Sequence, residues 1–278
     1  MTLPINFLRL TVAVVSTVLA LRAAAADAVS PWDGDARTAA RLIAGPAQGA
    51  LRAGIEIRLK DGWHTYWRYP GDAGVPPQFD FAGSQNLGAV AVRWPAPRRL
   101  PEAGLVAIGY DRDVILPLEV TAHNPALPVT LRLKLNYAIC EKLCVPAEAK
   151  VELALAAGGV AQDPALTAAQ ARVPGKRALG EGAGLAVRAV RREAGPERPR
   201  LVIDVAVPEG SAVDLFAEGP TDQWAPPLPV ATAGAPPGLQ RFVLDLDGAP
   251  PGESYEGAAV TLTAVSDREA IEVPVRVP

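Results

Sequence analysis

The sequence is poor in the residues that most often carry chemistry. Its 278 residues include only two cysteines, two histidines and one methionine, and aromatic residues make up 5%. It has no G-x-S-x-G motif and no glycine-rich phosphate loop, which argues against an α/β serine hydrolase and a P-loop nucleotide site. Lys and Arg number 27 against 30 Asp and Glu. Because there is no basic excess, nucleic acid is not an expected partner.

Residues 1–26 have the layout of a secretory signal peptide. Arg9 precedes an apolar run from Leu10 to Leu21, and small residues follow as far as Ala26. The run is shorter than the roughly 20 residues that a spanning helix needs, so we expect cleavage rather than a retained membrane anchor. No later segment is long and apolar enough for stable membrane insertion. The mature chain is therefore expected outside the reducing cytosol, where two cysteines can form a disulfide.

Residues 27–158 show the period-two alternation of half-buried strands. In RAGIEIRLK, Ile55, Ile57 and Leu59 alternate with charged residues, and the same period recurs in PVTLRLKLNY and KVELAL. Shorter strand candidates are WHTYWRY, PQFDF, AVAVRW and VILPLEV, separated by the turn clusters PGDAG and PAPRRLPEAG. Seven or eight short strands with such turns predict an immunoglobulin-like antiparallel β-sandwich.

The alternation stops in residues 159–184, which we interpret as a linker with a short helix. Asp163 can cap that helix, Pro164 suits its first turn, and Pro174 with the following glycine ends it. Strand patterns resume in residues 185–278, in LAVRAVRRE, RLVIDVAVP, VDLFAEG, LQRFVLDLD, AVTLTAVSD and AIEVPVRVP. The predicted fold class is all-β, with two immunoglobulin-like antiparallel sandwich domains joined by a short helical linker.

The two cysteines, Cys140 and Cys144, are separated by three residues. As a structural staple, a loop this short would contribute only about 2 kcal/mol, against roughly 4.7 for a loop of 100 residues. A pair that cycles between dithiol and disulfide fits better, because a short loop after a strand would leave both sulfurs near the surface. Between them, Lys142 could favour a thiolate and Glu141 would oppose it.

Other uses of the pair stay open at this stage. One alternative is a non-catalytic binding module with a structural disulfide. Another is a copper-handling protein in which Cys140, Cys144 and His64 bind Cu(I) or Zn(II), although the sequence supplies few further ligands. The exchange hypothesis itself requires no cofactor and no metal.

Aromatic side chains are concentrated around His64. Trp63 and Trp67 are expected on one face of a strand, and His64 and Tyr66 on the other. One face should belong to the core, and the other could shield the disulfide from unwanted reductants. His64 as a general base is a weaker hypothesis, because a lone histidine is more often structural.

The stretches YAICEKLCVPAEAK and DGWHTYWRYPGDAGVPP resemble the N-terminal periplasmic domain of the disulfide reductase DsbD, and more closely its ScsB-like relatives. The resemblance implies a periplasmic thiol–disulfide interchange protein with Cys140 and Cys144 as redox pair, Cys144 forming the mixed disulfide. Tyr137, Pro146 and Glu148 match the surrounding motif and would shape the site. The implied partners are a membrane-embedded thiol reductase domain, expected on a separate chain, and thioredoxin-like periplasmic proteins.

Overall fold

The computed structural model describes residues 28–48, 50–160 and 163–278. The expected signal peptide, residues 1–26, lies outside them. Across the described part of the chain, strands predominate, there is one α-helix, and all but one of the strand pairings are antiparallel. The predicted all-β fold class is therefore confirmed. No helix in these ranges is long and apolar enough to span a membrane.

The first part of the chain forms two facing sheets. Its strands are β1 (Asp33–Gly34), β2 (Thr38–Gln48), β3 (Ala50–Leu59), β4 (His64–Gly71), β5 (Gln78–Asp80), β6 (Leu87–Val92), β7 (Arg98–Glu102), β8 (Leu105–Tyr110), β9 (Val114–Ala122), β10 (Val129–Cys140) and β11 (Cys144–Leu155). One sheet has the order β1-β2-β3-β9-β6, and the other β11-β10-β4-β8-β7, with β5 paired to β10. We call this pair of sheets the first sandwich.

The two sheets share one hydrophobic core, because apolar side chains from both fill the space between them. Ile55 and Leu116 come from one sheet, and Trp67, Leu133 and Val151 from the other, and all five are buried in the same cluster. Burial of each large aliphatic side chain contributes about 1.5–3 kcal/mol.

Strands β10 and β11 form a long hairpin that carries both cysteines. The strands pair antiparallel along their whole length, so Cys140, the last residue of β10, lies opposite Cys144, the first of β11. The leucines at alternate positions of β10 are buried, and Arg132 and Lys134 between them are exposed. The period-two pattern therefore builds the element that positions the disulfide.

A short helix follows the first sandwich. Helix α1 (Pro164–Ala171) is capped by Asp163, whose carboxylate accepts hydrogen bonds from the backbone N–H groups of Ala165 and Leu166. Leu166 is buried against the backbone of Gly54 in β3. The predicted cap and first-turn proline are therefore present, and the helix packs on the first sandwich.

The rest of the chain forms a second pair of sheets, the second sandwich. Its strands are β12 (Gly175–Lys176), β13 (Ala186–Ala194), β14 (Pro199–Ala206), β15 (Val213–Glu218), β16 (Val230–Thr232), β17 (Leu239–Asp245), β18 (Ala259–Ser266) and β19 (Ala270–Arg276). The sheet orders are β12-β19-β18-β15 and β13-β14-β17-β16. Strand β12 pairs parallel with β19 and lies in the segment expected to be linker. The boundaries at residues 158/159 and 184/185 stay a prediction.

Four strands of the first sandwich differ from expectation. The cluster PAPRRLPEAG was expected to form a turn, but it contains strand β7, which pairs with β8. Strands β1, β2 and β8 were not predicted. The segment of β2 is rich in alanine and lacks clean alternation, and its pairing with β3 determines its structure instead.

Ion pairs connect the two sandwiches. The Arg68 guanidinium, on β4, donates to Glu218 at 2.8 and 2.7 Å and to Glu272 at 2.5 Å. Arg99, on β7, donates to Asp214 at 2.8 Å. Because β4 and β7 also carry residues near the cysteines, these contacts attach the second sandwich to the strands that support the site.

An aromatic contact adds to these ion pairs. Phe216 of β15 is fully buried in the core cluster of the first sandwich, with its ring centroid 6.1 Å from that of Trp67. The second sandwich therefore contributes apolar packing to the first.

Candidate functional site

Cys140 and Cys144 form a disulfide at the tip of the β10–β11 hairpin. Their Cα atoms lie 4.1 Å apart as a directly opposed pair, and Glu141, Lys142 and Leu143 form the connecting loop. The hairpin register therefore places the sulfurs together. The loop itself contributes no regular structure between the cysteines.

The two cysteines differ sharply in exposure. Cys140 is only 2% exposed, in a small cluster with Tyr66, Leu100 and Ala107, whereas Cys144 is exposed to solvent. The expectation that both sulfurs lie near the surface is therefore wrong for Cys140. The reason is that the end of β10 also pairs with the start of β4, which places Cys140 inside the sheet.

A carboxylate contacts the exposed sulfur. Glu102 Oε1 lies 2.9 Å from Cys144 Sγ, and Glu102 Oε2 lies 3.0 Å from His64 Nε2. The Glu102 side chain is only 10% exposed. A disulfide sulfur has no proton, so a thiol formed at Cys144 on reduction could donate one to this carboxylate.

Tyr66 completes this polar group. Its hydroxyl donates to both Glu102 oxygens at 3.1 Å and lies 3.2 Å from Cys144 Sγ. Burial, reinforced by the nearby Glu102 carboxylate, raises the pKa of Tyr66 above its ordinary value. The tyrosine therefore stays a proton donor and holds the carboxylate in place. The rings of Tyr66 and His64 meet edge to face, with centroids 5.6 Å apart.

Glu102 was not among the residues predicted from the sequence. It ends β7 directly before a two-residue turn formed by Ala103 and Gly104, both with positive φ. The predicted turn cluster PAPRRLPEAG includes this turn, but the strand that ends at Glu102 was not predicted. No local signal could have shown that this hairpin lies beside the cysteines.

The aromatic cluster divides as expected for a strand. Trp67 is fully buried in the core of the first sandwich, with Trp63 packed against that core, while His64 and Tyr66 approach the cysteines. The shielding of the disulfide by His64 and Tyr66 stays a prediction.

The remaining predicted residues surround the pair at greater distance. Tyr137 is buried, and its hydroxyl lies 2.8 Å from that of Thr38, so it supports β10 from the core side. Burial raises the pKa of Tyr137. Glu141 and Lys142 are exposed in the loop. The polar contacts of Cys144 Sγ are instead with Glu102 and Tyr66.

Glu148 and Pro146 lie along β11. The carboxylate of Glu148 pairs with Lys150 at 2.7 Å and Lys134 at 3.4 Å, and the hydrogen bond from Lys150 chiefly lowers its pKa. Pro146 and Glu148 line a cavity of about 610 Å³ that also reaches Cys144 and Val75. This cavity is largely apolar and lies beside Cys144.

Three potential metal-binding atoms also meet here. A ring nitrogen of His64, a Glu102 carboxylate oxygen and Cys140 Sγ all lie within 4.8 Å of one another. The two sulfurs are bonded to each other in this state, so neither is available as a thiolate ligand.

Comparison with known proteins supports the interpretation of this region. Residues 35–156 match the family model described as "Thiol:disulfide interchange protein DsbD, N-terminal". The chain is also similar to the crystal structure of the N-terminal periplasmic domain of ScsB from Proteus mirabilis. The TM-score is 0.67 at 22% identity, over 90% of this chain and 98% of that chain. Among curated proteins there is no match. The resemblance to DsbD N-terminal domains and ScsB is confirmed, and the segment that holds both cysteines is similar to the thiol–disulfide interchange family.

Proposed function

We propose that this protein exchanges disulfides with partner thiols through Cys140 and Cys144, and that it relays reducing equivalents in the periplasm. The observation that carries the proposal is the asymmetric disulfide, with one sulfur buried and the other exposed beside a polar group. Exchange requires that a thiolate line up with the S–S bond at one accessible sulfur. The arrangement at the hairpin tip meets this requirement at Cys144.

The reduction step begins with a dithiol partner. One partner thiolate attacks Cys144 Sγ, the S–S bond breaks, and Cys140 Sγ takes the electron pair and a proton. The partner is then joined to Cys144 by a mixed disulfide. The second thiolate of the partner then attacks the partner sulfur in the mixed disulfide and releases Cys144. The partner is left with a disulfide of its own and has lost two electrons and two protons. The reverse sequence passes them to an oxidised target.

Cys140 as the leaving group needs a proton. Its sulfur lies among apolar side chains such as Leu100 and Ala107, where a thiolate is poorly solvated. The His64–Glu102 pair lies within 4.8 Å of this sulfur and could supply or accept that proton. We therefore assign His64 and Glu102 to proton transfer, and Tyr66 to orienting Glu102.

The proposed partners follow from the chemistry and the comparisons. A family named for thiol–disulfide interchange needs an electron donor and an acceptor, and we propose a membrane-embedded thiol reductase domain and thioredoxin-like proteins. The ScsB domain is described as periplasmic, which supports the same location here. The cavity along β11 would contact the partner while Cys144 reacts.

Trapping distinguishes the proposal from an inert disulfide. Cys140→Ser leaves the exposed Cys144 free, and we expect it to accumulate a mixed disulfide with an oxidised thioredoxin-like protein on non-reducing gels. The matched control is Cys144→Ser, which leaves only the buried Cys140 and should trap at least about tenfold less. Equal trapping by the two variants, or none by Cys140→Ser, would contradict the proposal.

A further inference from the structure

The polar group beside the disulfide contains four potential ligands for one metal ion. A ring nitrogen of His64, a Glu102 carboxylate oxygen and Cys140 Sγ lie within 4.8 Å of one another. Cys144 Sγ lies beside this group, bonded to Cys140 Sγ and 2.9 Å from Glu102 Oε1, and becomes a fourth potential ligand when the cysteines are reduced. The set is therefore one nitrogen, one carboxylate and two sulfurs.

The oxidation state of the cysteines decides whether this set can bind a metal. Disulfide sulfurs are weak ligands, and thiolates are strong ones. Reduction by a dithiol breaks the S–S bond and adds two electrons and two protons. Binding of a divalent cation to the resulting dithiol would then release the two thiol protons.

We propose that the reduced protein binds one Zn(II) ion through Cys140, Cys144, His64 and Glu102, and that the disulfide form does not bind it. Zinc prefers four tetrahedral ligands at about 2.0–2.3 Å, so neighbouring ligand atoms should lie roughly 3.3–3.8 Å apart. After the S–S bond opens, the two sulfurs need to separate to this distance, and side-chain rotation needs to bring Cys140 Sγ and the His64 ring nitrogen, which lie within 4.8 Å of each other, to the same distance.

The surroundings of the ligands favour a defined site. His64 and Glu102 are mostly buried and already contact each other at 3.0 Å. Tyr66 donates to both oxygens of Glu102 and so fixes its orientation, which is the usual task of residues that contact metal ligands. Two of the four ligands are therefore held in place before a metal arrives.

The ligand types favour zinc over Cu(I). Cu(I) prefers soft thiolates, whereas imidazole and carboxylate ligands both suit Zn(II). His64 and Glu102 should matter for zinc, and Cu(I) could be held by the two cysteines alone. Zinc at this site would occupy Cys144 Sγ, the sulfur that the proposed exchange needs, so the metal would block exchange by the reduced form.

Metal titration of the intact protein tests this directly. Protein reduced with dithiothreitol and desalted without oxygen is titrated with Zn(II) against a chromogenic chelator. We expect one equivalent to bind, and none to bind to the oxidised protein. Co(II) in place of zinc should give the visible absorption of a tetrahedral site and a thiolate charge-transfer band.

Matched variants separate a four-ligand site from simple chelation by two thiols. His64→Gln and Glu102→Gln should each weaken zinc binding at least about tenfold. His123→Gln and Glu152→Gln change the other histidine and an exposed glutamate on β11, and should leave it unchanged. Wild-type affinity in His64→Gln and Glu102→Gln, or no zinc binding by the reduced wild type, overturns the site. A loss of Cu(I) affinity in these two variants as large as that for zinc overturns the preference for zinc.

Zinc binding requires only that the Cys140–Cys144 disulfide be reduced, which a chemical dithiol achieves. Zinc binding without partner trapping would therefore overturn the proposed exchange alone. Trapping without zinc binding would overturn the metal site alone.

Discussion

Glu102 Oε1 lies 2.9 Å from Cys144 Sγ, although the two residues are 42 positions apart in the chain. Pairing of β7 with β8, of β8 with β4 and of β4 with β10 brings them together. A carboxylate this close to Cys144 could transfer a proton during the proposed exchange.

Glu102→Gln should slow thiol–disulfide exchange by roughly a hundredfold at neutral pH, because glutamine keeps the shape but cannot transfer the proton. The measurement is the rate of reduction of the oxidised protein by dithiothreitol, followed in a stopped-flow instrument. Glu152→Gln, at an exposed position of β11, should react at the wild-type rate. An unchanged rate in Glu102→Gln would rule out the proton-transfer role.

Alkylation of the reduced protein should reveal the difference between the two cysteines. Cys144 is exposed and Cys140 is 2% exposed, so iodoacetamide should modify Cys144 at least about tenfold faster. Lys142 lies between them, so trypsin places the two residues in separate peptides that mass spectrometry can quantify. Similar rates would mean that reduction opens the hairpin tip, against the structure described here.

Arg68→Ala should destabilise the protein by about 2–4 kcal/mol. It removes the cation from Glu218 and Glu272, whose side chains are only 18% and 17% exposed, and so leaves two poorly solvated carboxylates side by side. Their partial exposure places the expected cost below that of a fully buried pair. Chemical denaturation measures the free energy of unfolding.

The control for Arg68→Ala is Arg132→Ala. Arg132 pairs with Glu152 on the surface, where both side chains are more than two-fifths exposed, and its loss should cost under about 1 kcal/mol. Equal effects of the two substitutions would show that the ion pairs between the sandwiches contribute no more than a surface pair.

Asp204→Asn should weaken the second sandwich in a pH-dependent way. Asp204 is 2% exposed, and hydrogen bonds from Arg241, and then Arg191, hold its pKa below the ordinary value. A lowered native pKa stabilises the fold above the unfolded pKa of about 3.9, and this stabilisation is lost as the pH falls through the native value.

The substitution should therefore cost about 1–3 kcal/mol at pH 7. The difference from wild type should stay constant down to about pH 5 and shrink below pH 4. Urea denaturation from pH 3 to pH 7 measures both. A difference that grew on acidification would contradict the assigned direction of the shift in the Asp204 pKa.

The alternation of apolar and polar residues predicted much of this fold, because it shows which face of a strand is buried. It placed β10 and most strands of the second sandwich within a few residues, as well as the capped helix at Asp163. The sequence also indicated Cys140 and Cys144 as a pair, since only three residues separate them. Strand β2 was missed because an alanine-rich segment alternates weakly and depends on its partner strand.

The site itself depends on contacts that no local pattern records. The burial of Cys140 follows from its pairing with His64, and the position of Glu102 follows from three successive strand pairings. Both are properties of the sheet order. Sequence periodicity shows which residues face inward, but not which strand lies next to which.

A tight turn between β7 and β8 positions Glu102. Glu102 and Leu105 flank a two-residue turn in which Ala103 has φ 49° and Gly104 φ 87°. Positive φ at both positions is the type I′ arrangement, which matches the twist of a hairpin and favours Asn followed by Gly. Space is not limiting at Gly104, since an added Cβ would meet no atom within 4 Å.

Gly104→Ala should therefore cost about 1 kcal/mol through backbone strain alone, and should slow exchange because a distorted turn moves Glu102 away from Cys144. Ala103→Asn creates the favoured Asn-Gly pair, and should keep the wild-type exchange rate while stabilising the protein by about 0.5 kcal/mol. Reduction rates and denaturation curves of both variants separate the two effects. If Gly104→Ala loses stability but exchanges at the wild-type rate, the turn stabilises the hairpin without controlling the position of Glu102.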